Sequence, residues 1–190
     1  HRRGVYHLDI KPSNLLIHSI NQIPHPVLID FGIAQSDTHA QQQQFGTIGY
    51  SAPELEKGEA EAISDVYASG VLLAQLLCRN EVHNMGVLKR SDRTTLLQEK
   101  GVDADVISII DQATQKDKRY RYPNISAFRS DLNNYLQGFP LSLDNGLWPT
   151  IRKTVARHRL MTVSILLATF FAAFFAVKYT QDIKKLQQST

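Results

Sequence analysis

Asp9, Lys11 and Asn14 stand close together in His7-Leu8-Asp9-Ile10-Lys11-Pro12-Ser13-Asn14. A carboxylate, an ammonium and a carboxamide therefore share one short loop, which runs straight into the apolar residues Leu15, Leu16 and Ile17. A second carboxylate, Asp30, follows the next apolar run, Val27-Leu28-Ile29. Acidic and amide oxygens at turns flanking strands suit Mg²⁺, a hard cation that takes few protein oxygens and keeps water and phosphate in its other positions. A further carboxylate beside them can take a proton from an incoming hydroxyl. These are the parts of phosphoryl transfer, in which the protein mainly positions reactants and neutralises charge.

The same residues resemble the eukaryotic-like serine/threonine protein kinases of bacterial type. Asp9 and Asn14 have the D-x-x-x-x-N spacing of the kinase catalytic loop, and Asp30-Phe31-Gly32 is the D-F-G element. Gly46-Thr47-Ile48-Gly49-Tyr50-Ser51-Ala52-Pro53-Glu54 resembles the G-T-x-x-Y-x-A-P-E that closes the activation segment. Ser64-Asp65-Val66-Tyr67-Ala68-Ser69-Gly70 resembles the start of the long buried helix, and Asp117 to Arg121 the late D-x-x-x-R element. The resemblance covers residues 1 to 138. It implies a mainly α fold, the large C-terminal lobe of a protein kinase with a small β-hairpin, acting with ATP and Mg²⁺ on a protein substrate.

Carried over position by position, the resemblance makes Asp9 the catalytic base and Lys11 the lysine that steadies the transferring phosphoryl. Asn14 and Asp30 become the Mg²⁺ ligands, and Leu16 the apolar floor beneath adenine. Thr47 becomes the threonine that bonds both the catalytic aspartate and the lysine. Glu54 and Arg121 match a buried structural ion pair, and Asp65 the aspartate that holds the catalytic-loop backbone, unless it or Ser64 simply caps its helix. His7 matches a packed structural residue of the loop. Leu8 departs from the pattern, because many kinases carry there an arginine that grips a phosphate on the activation loop. Without that guanidinium an added phosphate lacks its usual partner, so activity is expected not to depend strictly on phosphorylation of Ser36, Thr38 or Thr47.

Composition sets the bounds on these readings. A net charge of +3 over 190 residues is too mild to argue for nucleic acid, and no basic stripe carries interleaved aromatics. The single cysteine, Cys78, excludes an internal disulfide framework and sits in an apolar helical run as a buried thiol. His18, His25, His39 and His83 are scattered on polar segments without metal-ligand spacing.

The elements that must position the chemistry follow from pattern. Arg2 to Tyr6 reads as a helix exit, with Gly4 just past its end. Leu15–Ile17 and Val27–Ile29 read as short buried strands, joined by a proline-punctuated loop over Asn21–Pro26. Gln35 to Gln44 reads as a polar loop. From Ile63 to Cys78 apolar residues surround most of a helix, which marks a buried one. Arg79 to Gly101 is polar and lacks the G-x-x-P-F turn that usually follows the long helix in kinases. Val106, Ile109, Ile110 and Ala113 give one helical face; Ile125, Phe128, Leu132, Tyr135 and Leu136 give another, ended by Gly138 and Pro140.

Beyond residue 138 the character changes. Residues 139–159 read as a basic juxtamembrane linker and 160–179 as one transmembrane helix, since Leu160 to Val177 holds no charged residue and spans roughly 27 Å at 1.5 Å per residue. Arg152, Lys153, Arg157, His158 and Arg159 precede it, against Lys178, Lys184, Lys185 and Asp182 after it, which puts the kinase side in the cytoplasm at an inner membrane. Residues 180–190 become an extracytoplasmic tail, expected to continue past Thr190. The chain starts at the catalytic loop, so a glycine-rich loop and strand lysine are expected upstream of His1. The fragment by itself is expected to be inactive. The competing readings are a pseudokinase scaffold and a small-molecule phosphotransferase sharing an H-x-D-x-x-x-x-N loop; the 46–54 segment speaks against the latter. Nothing in the sequence reads out oligomeric state.

Overall fold

The computed structural model describes residues 5–30, 35–36, 46–79, 85–143, 151, 154–155 and 158–188. Contacts divide the chain into two units, His1–Gln137 and Gly138–Thr190. The first is mainly helical, with two small antiparallel sheets that frame the Asp9 loop.

Strand β1 (Val5–Tyr6) leads into that loop and pairs with β4 (Gln35–Ser36). The helix exit expected over Arg2 to Tyr6 is therefore corrected where it is described: Val5 and Tyr6 are extended, opposite Ser36 and Gln35. Strands β2 (Leu15–Ile20) and β3 (Ile23–Leu28) form a hairpin closed by Asn21 and Gln22, whose φ values of 50° and 64° give the doubly left-handed turn that suits the twist of paired strands. The expected loop over Asn21–Pro26 thus shrinks to its first two residues. Pro24 and Pro26 belong to β3 because the Ile20–Ile23 closing pair sets the alternation: the ladder bonds fall at Ile20–Ile23, His18–His25 and Leu16–Val27. Both prolines sit at the intervening positions, where no ladder N–H is required. The strands were expected to be buried; instead Leu16, Ile17, Ile20, Ile23 and Val27 are exposed. No described layer covers their faces.

Helix α1 (Ala62–Leu77) carries the core, with Val66, Val71 and Ala74 fully buried and Leu76 and Leu77 on its open side. A Cβ on Gly70 would lie 2.7 Å from the Ala113 Cβ, so the glycine sets how closely α1 approaches α3 (Ala104–Ala113). Asp103 caps α3 by accepting from the Asp105 N–H at 2.8 Å. Helix α4 (Ile125–Gln137) packs on both, and Gly138 follows it at φ 68°. Between α1 and α3 lies α2 (Arg90–Glu99), in the stretch whose polarity gave no element by pattern. It buries Arg93 and Leu97, and Arg93 donates to Thr114 Oγ1 at 2.6 Å. Cys78 is buried at the end of α1.

In the second unit, helix α5 runs from Arg159 to Gln188. Among the described residues no helix is long and apolar enough to cross a membrane, so the span expected over 160–179 is not found in the structure. The helix carries the uncharged run from Leu160 to Val177. Within it Leu166, Phe170, Phe171, Phe174 and Phe175 are exposed.

Candidate active site

The Asp9 loop is held from below by a buried carboxylate. Asp65, in the first turn of α1, accepts from the His7 N–H at Oδ2 and from the Leu8 N–H at Oδ1, both at 2.8 Å. Burial lifts its carboxyl above the ordinary 3.8, and the two N–H groups offset only part of that cost. Asp65 does not cap the helix; that position is Glu61, and no side chain bonds there. Ser64 is no cap either, since its hydroxyl donates to Glu54 Oε1 at 2.9 Å. Between the two anchored residues the chain takes a left-handed step at Leu8, φ 62°, whose side chain is buried in the core. A non-glycine residue there costs roughly 1–2 kcal/mol, so the loop conformation depends on its anchors.

His7 completes the scaffold. Its Nδ1 accepts from the Asp9 N–H at 3.3 Å, which makes Nε2 the donor to the Ile29 carbonyl at 3.1 Å. The imidazole thus ties the loop to the end of β3 and is structural. Ile29 returns the link by donating to the Asn14 carbonyl at 2.9 Å.

On this scaffold Asp9, Lys11, Asn14 and Thr47 meet. Thr47 Oγ1 donates to Asp9 Oδ1 at 2.7 Å, and Lys11 Nζ donates to Thr47 Oγ1 at 2.8 Å. Lys11 Nζ also lies 2.7 Å from Asp9 Oδ2. Asn14, in a single 3-10 turn over Pro12–Asn14, directs Nδ2 at the Asp9 carbonyl (2.8 Å) and at Asp9 Oδ2 (3.0 Å). Burial raises the Asp9 carboxyl, but the Lys11 and Thr47 bonds, the lysine charge and the Asn14 amide outweigh it and hold the group below its ordinary 3.8. Asp9 is therefore a carboxylate at neutral pH, and a weakly basic one.

Both Asn14 amide hydrogens point at Asp9, which leaves Oδ1 as its acceptor for a cation. Asp30 sits one residue past the Ile29–Asn14 link, exposed and at φ 63°. An amide oxygen and a carboxylate on adjoining backbone fit a hard divalent ion. Leu16 lies on the open face of the hairpin, 55% exposed, as a surface on which a planar ring can rest. Phe31, Gly32 and Thr38 lie outside the described residues, as do the side chain of Ser36 and most of the polar stretch from Gln35 to Gln44.

The segment that delivers Thr47 is fixed by a bidentate ion pair. Arg121 places its two terminal nitrogens 2.6 Å and 2.7 Å from the Glu54 oxygens, with the guanidinium side chain fully buried and 4.9 Å from the Tyr67 ring. Burial raises the Glu54 carboxyl, yet Arg121, its own backbone N–H and Ser64 hold it below 4.5. Asp117 organises the late element differently, accepting from the Arg119 N–H at 3.0 Å.

Pattern reading missed Gly86. Its N–H donates to the Gly49 carbonyl at 3.0 Å, Tyr67 Oη donates to its carbonyl at 3.3 Å, and Met85 beside it is fully buried. A Cβ on Gly86 would stand 2.4 Å from the Gly49 oxygen. The contact fills the place where a G-x-x-P-F turn was sought, and no spacing in the chain announces it. Next to Thr47 it leaves a cavity of about 550 Å³, lined in part by Ile48, Gly49, Gly86 and Val87. Ile48 and Val87 are exposed, and Glu56 and Lys116 add charge to the same lining.

Residues 1–135 match the protein kinase domain family. A probable serine/threonine-protein kinase of Streptomyces coelicolor is 31% identical over 156 residues, covering 74% of this chain and 23% of that protein. The serine/threonine-protein kinase PknB of Mycobacterium tuberculosis is 28% identical over 155 residues, 74% of this chain and 24% of its own length. A calcium/calmodulin-dependent protein kinase of Emericella nidulans is 32% identical over 178 residues, 84% of this chain and 41% of its own. The chain spans less than half the length of each of these relatives.

Proposed function

The chain belongs to the protein kinase family, and from that premise we propose that it supplies the catalytic-loop half of a serine/threonine protein kinase. The observation that carries the proposal is the Thr47 hydroxyl shared between Asp9 and Lys11. It brings a base, a cation and the segment beside the cavity to one point.

In this reading Asp9 accepts a hydrogen bond from the substrate hydroxyl and orients its oxygen for attack. Because its basicity is low, it takes the proton late, as suits a loose phosphoryl-transfer transition state. Lys11 neutralises charge that builds on the transferring group. Asn14 and Asp30 would hold Mg²⁺, which would supply charge neutralisation to the phosphates of ATP. Leu16 offers the apolar surface under the base. Leu8 is a core residue, which supports activity without a phosphorylated activation segment. The cavity beside Thr47, lined by Ile48 and Val87 but also by Glu56 and Lys116, supports a polypeptide substrate over a small alcohol, because it offers a place for the residue next to the acceptor.

Membrane anchoring is the second part of the proposal. Its support is the uncharged sequence from Leu160 to Val177, the basic residues that precede it, and the exposed phenylalanines of α5. Residues 139–159 then form the linker and 180–190 the far side. Alkaline carbonate extraction of the full-length protein tests this, since release into the supernatant removes the anchor.

The activity is tested in the full-length protein by comparing wild type with Asp9→Asn at saturating MgATP. General-base help is typically worth about 10²–10⁴-fold, and a loss on that scale is expected. Equal phosphate incorporation by the two proteins removes Asp9 from the chemistry, and no incorporation by wild type leaves a scaffold in place of an enzyme.

A further inference from the structure

The hairpin does something to its histidines that their positions in the chain conceal. His18 and His25 are directly opposed in the β2–β3 register, at a position that exchanges both ladder bonds. Directly opposed residues project from the same face with Cβ atoms about 5 Å apart. Both are exposed. The pairs on either side along that face are apolar, Leu16–Val27 and Ile20–Ile23. From Leu15 to Ile29 the chain has no Asp, Glu, Lys or Arg, so no ammonium repels a cation there and no carboxylate competes for it within the hairpin.

The backbone is stiff where the imidazoles attach. Pro24 and Pro26 bracket His25, each fixing its own φ, and Pro26 confines His25 itself to extended geometry. The left-handed Asn21–Gln22 turn pins the register, so a slip that would carry one histidine to the other face is opposed from both ends. Two imidazoles held side by side on a rigid ladder are a preformed chelate. Their nitrogens suit Zn²⁺, Ni²⁺ and Cu²⁺ and not Mg²⁺, and bonds of about 2.0–2.1 Å lie within the reach of both rings. Among the described residues no group of three or more His, Cys, Asp or Glu side chains gathers to hold a metal, so water completes the coordination.

We propose that His18 and His25 form a two-imidazole binding site for a borderline transition-metal ion of the Zn²⁺ class, on the same hairpin face as Leu16. The ion bridges β2 and β3 and clamps the hairpin whose base carries Asn14 and Asp30. The site is chemically separate from the oxygen donors of the Asp9 loop and does not depend on the proposed kinase activity.

The test is calorimetric titration of the full chain with Zn²⁺, and separately with Ni²⁺, in excess Mg²⁺ so that oxygen sites are already filled. Wild type is expected to take roughly 1 equivalent. His18→Ala and His25→Ala should each weaken binding by at least about tenfold, and the double variant hardly more, because a chelate is lost with its first arm. A variant combining His18→Ser with Ser19→His keeps the histidine count but moves one ring to the opposite face, and it should bind no better than His18→Ala. His158→Ala is expected to match wild type. Hydrogen exchange supplies an independent reading: Zn²⁺ should slow the amides of the Ile20–Ile23 closing pair. Undetectable wild-type binding, or a relocated-histidine variant that binds like wild type, overturns the proposal. So does equal loss in His158→Ala.

Discussion

Removing the carboxylate of Asp65 tests whether the Asp9 loop is held from beneath. Asp65→Asn keeps one acceptor and turns the other into an amide donor facing a backbone N–H. One charge-assisted bond, typically about 1.5–3 kcal/mol, is lost and one buried N–H is orphaned at about 1–3 kcal/mol. The change also removes the burden of keeping a charge buried, which the raised carboxyl shows to be the larger influence on Asp65. The net loss for Asn is therefore near the bottom of the combined range, about 2.5 kcal/mol. Asp65→Ala leaves the N–H groups of both His7 and Leu8 without this acceptor, for about 2–6 kcal/mol at about 1–3 each. Against a typical domain stability of about 5–15 kcal/mol, that second loss is large but survivable. Urea denaturation followed by circular dichroism reads both values, provided the slope is unchanged. Freed of its anchors, Leu8 can leave φ 62°, and Asp9 moves with it. Phosphotransfer in the full-length protein should then fall by more than the unfolded fraction explains. If Asp65→Ala denatures within about 0.5 kcal/mol of wild type, the two bonds do not hold the loop and the reasoning fails.

Thr47→Ala removes the hydroxyl shared by Asp9 and Lys11; with roughly 1–3 kcal/mol at stake, kcat should fall about 10- to 100-fold, and Thr47→Ser should recover most of it. Equal rates for the Ala and Ser variants would count against the bridge. Gly86→Ala forces a Cβ against the Gly49 oxygen, so thermal stability should drop by about 1–3 kcal/mol and KM for a protein substrate should rise while KM for ATP holds. An unchanged substrate KM would detach Gly86 from the cavity. The Glu54 carboxyl, depressed in the folded state, binds fewer protons there than in the unfolded chain. Its contribution is full above the ordinary 4.5 and disappears as pH falls through the lower folded value. Stability measured from neutral pH downward should therefore fall more steeply in wild type than in Glu54→Gln, and parallel curves would refute the assignment.

Much of the site was legible because its members are local or carry distinctive spacing. Asp9, Lys11 and Asn14 share one loop, and no tertiary contact is needed to see that they lie together. Helices α3 and α4 were legible from apolar residues at helical period and α1 from being apolar nearly all round, although in α4 only Phe128 of that face is buried and Leu136 stands exposed. Helix α2 gave no such stripe: its buried residues, Arg93 and Leu97, include a charge, and periodicity counts only apolar ones. The strands are legible from their apolar runs, but a run alone does not say what covers it: Leu15, Leu28 and Ile29 are half-buried while Leu16, Ile17 and Val27 are exposed.

Residue type and spacing by themselves could not supply adjacency between distant segments; for Thr47, Glu54 with Arg121 and Asp65 only the family resemblance implied it. Thr47 reaches Asp9, Arg121 reaches Glu54, and Asp65 reaches the His7 and Leu8 amides only because α1 and the two loops fold onto one another. Gly86 against Gly49 is the same kind of fact. The histidines show the division most clearly: in sequence His18 and His25 are scattered, and in the hairpin they are opposed. Residue type and spacing determine which groups are able to do chemistry, because those properties are covalent. Which of them meet is decided by turn geometry, strand register and helix docking, because contact energies act between surfaces that exist only once the chain has folded.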